Sequence, residues 1–113
     1  SEWLQYEEIF PKIQKSTIDT VSLECHNSHV PFNLIELLRG KKVMIGAIDV
    51  ATNRVETSEE VANTLRKALE FVDVENLYPS TNCGMAPLSR NVARKKLSAL
   101  SAGAKIIRNE LGI

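Results

Sequence analysis

The segment Lys42-Val43-Met44-Ile45-Gly46-Ala47-Ile48-Asp49 is nearly continuous apolar sequence, the pattern of a parallel strand covered on both faces. A parallel strand reaches its neighbour only through a crossover, so the flanking sequence must supply helices. Downstream, Thr57-Ser58-Glu59-Glu60 offers a capping box, and Val61, Leu65, Ala68, Leu69 and Val72 follow on one helical face. Upstream, Thr17 to Glu24 alternates with period two, setting Val21 and Leu23 against Ser22 and Glu24, which predicts a strand ending at Glu24. Between these strands, Phe32 to Arg39 carries Leu34, Ile35, Leu37 and Leu38 before the stop signal Gly40, a short helix. Leu4, Ile9 and Ile13 predict an amphipathic first helix ending near Lys15, kinked or split by Pro11. Asn76 to Cys83 reads as a short third strand weakened by Pro79. Ser89 caps a long last helix with the stripe Val92, Leu97, Leu100, Ala104, Ile107 and Leu111. The order is a helix followed three times by strand and helix, which predicts an α/β fold with right-handed crossovers and parallel strands. Three such units form either a small open sheet or consecutive staves of a (β/α)8 TIM-type barrel, which needs about 250 residues to close. At 113 residues, only part of a barrel is expected here.

Charge narrows the function. Fourteen Lys+Arg balance 14 Asp+Glu, so the surface lacks the basic excess that nucleic acid or an anionic membrane surface would require. The longest apolar run, Val43 to Ala51, is broken by Gly46 and Asp49 and falls short of the ~20 residues that span a bilayer. The amino end shows no secretory signal, and two cysteines make no disulfide framework, so a reducing cytoplasm is expected. The chain opens on Ser1 rather than methionine and runs straight into helical sequence, so further sequence is expected upstream. No repeat, low-complexity tract or linker divides residues 1–113, which read as one segment.

In parallel α/β folds chemistry collects where the strands end, because the loops there converge. The three ends are Glu24, Asp49 and Cys83. A carboxylate and a thiolate at one mouth are candidate zinc ligands, but only half a site; Cys25, His26, His29 or residues elsewhere must complete it. On spacing alone the plainer reading is a buried Cys83 and a hydrogen-bonded Glu24, since no CxxC or HExxH signature is present. Cys25-His26-Asn27-Ser28-His29 suggests a Cys–His nucleophile pair or a separate metal site, yet neighbouring side chains point apart and a loop His-x-x-His is more often solvated. Asp49 is either an orienting catalytic carboxylate or the turn former that opens the loop to Thr57. Arg90, Arg94, Lys95 and Lys96 crowd the start of the last helix, where the macrodipole is already positive; they form an anion site or, more plainly, a solvated basic face.

Val21-Ser22-Leu23-Glu24, Ile45-Gly46-Ala47-Ile48-Asp49 with Arg54-Val55-Glu56 and Glu59-Glu60, and Thr81-Asn82-Cys83-Gly84 together resemble the carboxyl-terminal part of the cobalamin-independent methionine synthases. Order and spacing match over nearly the whole chain. The resemblance implies a (β/α) barrel whose zinc is held by a His-x-Cys pair on an earlier strand, a glutamate and a late cysteine. Glu24 would be that glutamate and Cys83 that cysteine, while the His-x-Cys pair has no counterpart here. The implied reaction, in methionine biosynthesis, is methyl transfer to the thiol of homocysteine from methyltetrahydrofolate or another donor. Zinc makes the thiolate, and a folate leaving group also needs a general acid. Two departures count against folate. Asp49-Val50-Ala51-Thr52 stands where the family commonly has Asp-Ile-His-Ser, which removes the histidine proton donor, and Ser80-Thr81-Asn82-Cys83 replaces Asn-Pro-Asp-Cys. The alternatives are a zinc thiol-alkyl transferase acting on coenzyme M or another small thiol, and a catalytically silent segment or interaction module. An unclosed barrel also exposes strand edges, so self-association is expected of the chain on its own.

Overall fold

Three parallel strands alternate with helices in the computed structural model, which describes residues 4–24, 32–81, 85 and 88–113. Helix α1 spans Leu4–Gln14 and contains Pro11 without a break. Strand β1 is Thr20–Glu24, three residues shorter at its start than the alternation predicts, and a 3₁₀ helix, Phe32–Leu38, takes the place of the expected α-helix. Strand β2 is Lys42–Ile48, followed by α2 at Ser58–Ala68. A short 3₁₀ turn, Val74–Asn76, leads into β3 at Leu77–Thr81, and α3 runs from Arg90 to Leu111. The sheet order is β1-β2-β3 with every pairing parallel. Pro79 pairs with Ile45 on β3, an edge strand among the described residues, the location to which proline is confined in sheets.

The helices cover one face of this sheet. Leu23, Val43 and Ile45 pack with Phe10, Ile35, Leu38, Ala68 and Val72, while Ala47 and Ile48 pack with Val61, Ala62, Leu65, Ala99 and Ile107. On the opposite face Thr20, Ser22, Lys42, Met44 and Tyr78 are exposed. The continuous apolar pattern of β2 is therefore open to one side at Lys42 and Met44 and buried at every residue from Ile45 to Ile48. The amino-terminal capping of α2 is the one its sequence specifies: Thr57 Oγ1 accepts from the Glu60 amide, and Glu60 Oε1 accepts from the Thr57 amide, each at 3.1 Å.

The stripe that faces the core in α3 differs from the apolar one. Leu97 and Leu111 are 49% and 46% exposed, and Lys96, Ala99, Gly103 and Ile107 are buried instead. Gly103 lets the two long helices touch: a Cβ there would lie 2.4 Å from Val61 Cγ1, 2.5 Å from Val61 Cβ and 3.0 Å from the Ser58 carbonyl oxygen. Val61 Cβ is fixed to the α2 backbone and cannot rotate away. Gly103→Ala is expected to destabilise by about 1–2 kcal/mol, because an overpacking cost in the upper part of about 1–3 kcal/mol outweighs a helix-propensity gain of about 1 kcal/mol. Urea unfolding checks this; an unchanged or raised midpoint would contradict it.

Candidate functional site

Because the strands are parallel, their carboxyl ends share one edge of the sheet. The register sets Glu24 opposite Gly46 and Gly46 opposite Ser80, so positions 24, 46 and 80 form one row across all three strands. Beyond that row Ile48 pairs with Thr81, leaving an extra residue on β2, an irregularity of the bulge type that bends a strand end and re-aims the residues after it. In the same row Ser80 Oγ is buried with no hydrogen-bond partner among the described residues.

Of the residues singled out in the sequence, Glu24 is the last residue of β1, and its side chain lies outside the described residues, as do Cys83, Cys25, His26 and His29. Among the described residues no group of three or more His, Cys, Asp or Glu side chains is placed to hold a metal ion. Asp49 lies among the described residues. It follows β2 directly, is partly buried, and its Oδ1 accepts from the Ala51 amide at 2.9 Å, so the turn-forming role read from the sequence is realised.

Sequence reasoning missed two residues of this edge. Lys96, read as part of a solvated basic face, is 0% exposed, whereas Arg90, Arg94 and Lys95 do lie in solvent. Its Nζ donates to Glu56 Oε1 at 2.9 Å, to the Asp49 carbonyl at 2.9 Å and to the Arg54 carbonyl at 2.5 Å. The other carboxylate oxygen, Glu56 Oε2, accepts from the Asp49 amide at 2.8 Å. All three ammonium hydrogens and both carboxylate oxygens are therefore used, the condition under which a buried ion pair is tolerated. The available signal was positional: Lys96 stands three, seven and eleven residues before Ala99, Gly103 and Ile107, at helical spacing in a buried row.

The same loop is pinned at its outer end. Arg54 Nη2 donates to Glu60 Oε1 at 2.6 Å, and that bond, with the Thr57 amide second, holds the Glu60 carboxyl down at about 2. A carboxyl lowered on folding contributes stability that is present above its ordinary value of about 4.3 and lost as pH falls toward about 2. NMR titration of Glu60 is expected to show this depression, and Arg54→Ala to raise it back toward the ordinary range. An unshifted Glu60 in the unsubstituted chain would contradict the pairing.

Comparison with known proteins adds the context of this edge. Residues 4–106 match the family described as cobalamin-independent synthase, catalytic domain. A methionine synthase of Saccharolobus islandicus (strain Y.G.57.14 / Yellowstone #1) is 35% identical over 113 residues, covering 95% of this chain and 33% of that protein. One from Saccharolobus solfataricus is 35% identical over 112 residues, covering 94% of this chain and 32% of its own length. The chain thus spans about a third of the length of the curated relatives it matches. Among solved structures, a B12-independent methionine synthase from Shewanella sp. W3-18-1, in complex with selenomethionine, superposes with a TM-score of 0.91 at 73% identity, over 95% of this chain and 31% of that one.

Proposed function

The chain belongs to the cobalamin-independent methionine synthase family, matching its catalytic-domain model over residues 4–106, and from that premise we propose that residues 1–113 form one wall of a zinc-dependent site for methyl transfer to the homocysteine thiol. The observation that carries the reading is the row of positions 24, 46 and 80 at the shared carboxyl edge, three residues before Cys83. Strands stand about 4.8 Å apart, so β1 and β3 are separated by about 10 Å, a span that two side chains and an ion with ligand bonds of about 2.0–2.3 Å can bridge. Carboxylate and thiolate are both zinc donors, and the unpartnered Ser80 hydroxyl in this row adds polar character to the same edge.

Glu24 and Cys83 would hold the ion, with a His-x-Cys pair supplied by other staves of the barrel. When bound, zinc lowers the pKa of the acceptor thiol, so that sulfur attacks as the thiolate. Asp49, next to this edge, orients the acceptor by offering a carboxylate to its ammonium group. The sulfur–methyl bond forms as the bond from methyl to donor breaks, and the electron pair leaves with the donor. The exposed Ala51 has no proton to give to a departing folate amine, which favours a donor whose leaving group departs neutral. Homocysteine is favoured over another small thiol by the Shewanella relative's complex with selenomethionine, an analogue of the methylated product. The open face carrying Met44 and Tyr78 supports its being covered by further staves of the barrel. The test is methyl transfer by the whole gene product, offered homocysteine with methyltetrahydrofolate and, separately, with a methyl sulfonium. Methionine is expected, faster from the sulfonium; zinc-loaded protein that makes none from either donor would overturn the reading.

A further inference from the structure

The geometry points to Lys96 and Glu56 as a positioning pair that fixes the Asp49 loop against the acceptor without touching it, an inference that rests on the reading of Asp49 as the group orienting an amino-acid thiol. The peptide units on both sides of the Asp49 Cα end on this pair: the amide before it donates to Glu56 Oε2 at 2.8 Å, and the carbonyl after it accepts from Lys96 Nζ at 2.9 Å. With both flanking peptides fixed, the backbone dihedrals of Asp49 are set, and with them the direction in which its side chain leaves the main chain. The third ammonium hydrogen, on the Arg54 carbonyl, ties the far end of the loop to the same atom. Residues 49–56 contain no helix or strand of their own, and a loop at a strand end is otherwise the mobile part of such a fold. Lys96 reaches it from α3, 47 residues along the chain, so the pose of Asp49 depends on the docking of a different βα unit.

Two double variants of the whole gene product separate positioning from mere stability. Lys96→Met with Glu56→Met removes both charges at similar volume, a change that buried pairs often tolerate without loss of stability, but it leaves the Asp49 amide without an acceptor. Lys96→Met with Glu56→Gln restores that acceptor while burying an amide that is harder to satisfy. The first variant is expected to keep its zinc and a cooperative unfolding transition and to lose about 100-fold in kcat/KM for homocysteine, the scale of a misplacement of about 1 Å. The second is expected to recover at least about tenfold of that loss despite being the less stable of the two. Hydrogen exchange supplies a readout independent of activity: amides of residues 49–56 lose protection in the first variant, while those of α2 and α3 keep theirs. Wild-type kcat/KM in the Met/Met variant, or activity that follows the unfolding midpoint with no rescue by glutamine, would overturn the pair's role. If the whole protein methylates no thiol, the functional reading fails by itself; the exchange experiment still decides the clamp, which equal loop protection in the wild type and the Met/Met variant would refute.

Discussion

Replacing Lys96 alone by methionine is expected to destabilise the protein by about 3–5 kcal/mol, a large share of the roughly 5–15 kcal/mol that holds an ordinary domain together. The cause is not the loss of an attraction but the stranding of its partner. Both side chains are at most 1% exposed, so Glu56 would remain as a carboxylate without water, and the carbonyls of Asp49 and Arg54 would lose their donor. Glu56→Ala is expected to cost a similar amount for the mirror-image reason. The Met/Met double variant should cost far less than the sum of the single changes, because neither charge is then left unpaired and what remains is the loss of partners for the Asp49 amide and the Asp49 and Arg54 carbonyls. Guanidinium unfolding of the four proteins checks this; a Lys96→Met cost below about 1 kcal/mol would show that the side chain is not held in the dry pair.

The second large effect is chemical. Cys83→Ala in the whole gene product is expected to lower methyl transfer by more than about 100-fold, since changing only the outer partners of metal ligands costs about 10–100-fold. Tightly held zinc should fall with it, and a far-ultraviolet circular dichroism spectrum like that of the wild type separates loss of the ligand from loss of the fold. Full activity and full zinc in Cys83→Ala would remove this residue from the site.

What was legible in the sequence was whatever a short window contains. The apolar run of β2 and the reciprocal Thr57 and Glu60 bonds are local facts, and both elements stand where they were expected. The inner row of α3 was not legible. Hydrophobicity favoured Leu97 over Lys96, but Lys96 is matched by a carboxylate 40 residues upstream, and Gly103 is required by the approach of Val61 from another helix. Neither partner lies within a helical turn of the residue it explains. The same holds for the candidate site. The family resemblance rested on segments at the strand ends, and the register brings the ends of β1, β2 and β3 to one edge. The clamp behind Asp49 joins a loop to a helix from a different βα unit and left no motif to find.

X-ray absorption at the zinc edge, on the whole gene product and its Cys83→Ala and Glu24→Ala variants, tests most directly whether positions 24 and 83 share one ion. The expected result is a wild-type shell of mixed sulfur and nitrogen or oxygen. It should lose one sulfur at about 2.3 Å in Cys83→Ala and one oxygen at about 2.0–2.2 Å, with its sulfurs intact, in Glu24→Ala. A wild-type protein without zinc, or a ligand shell that neither substitution alters, would contradict it.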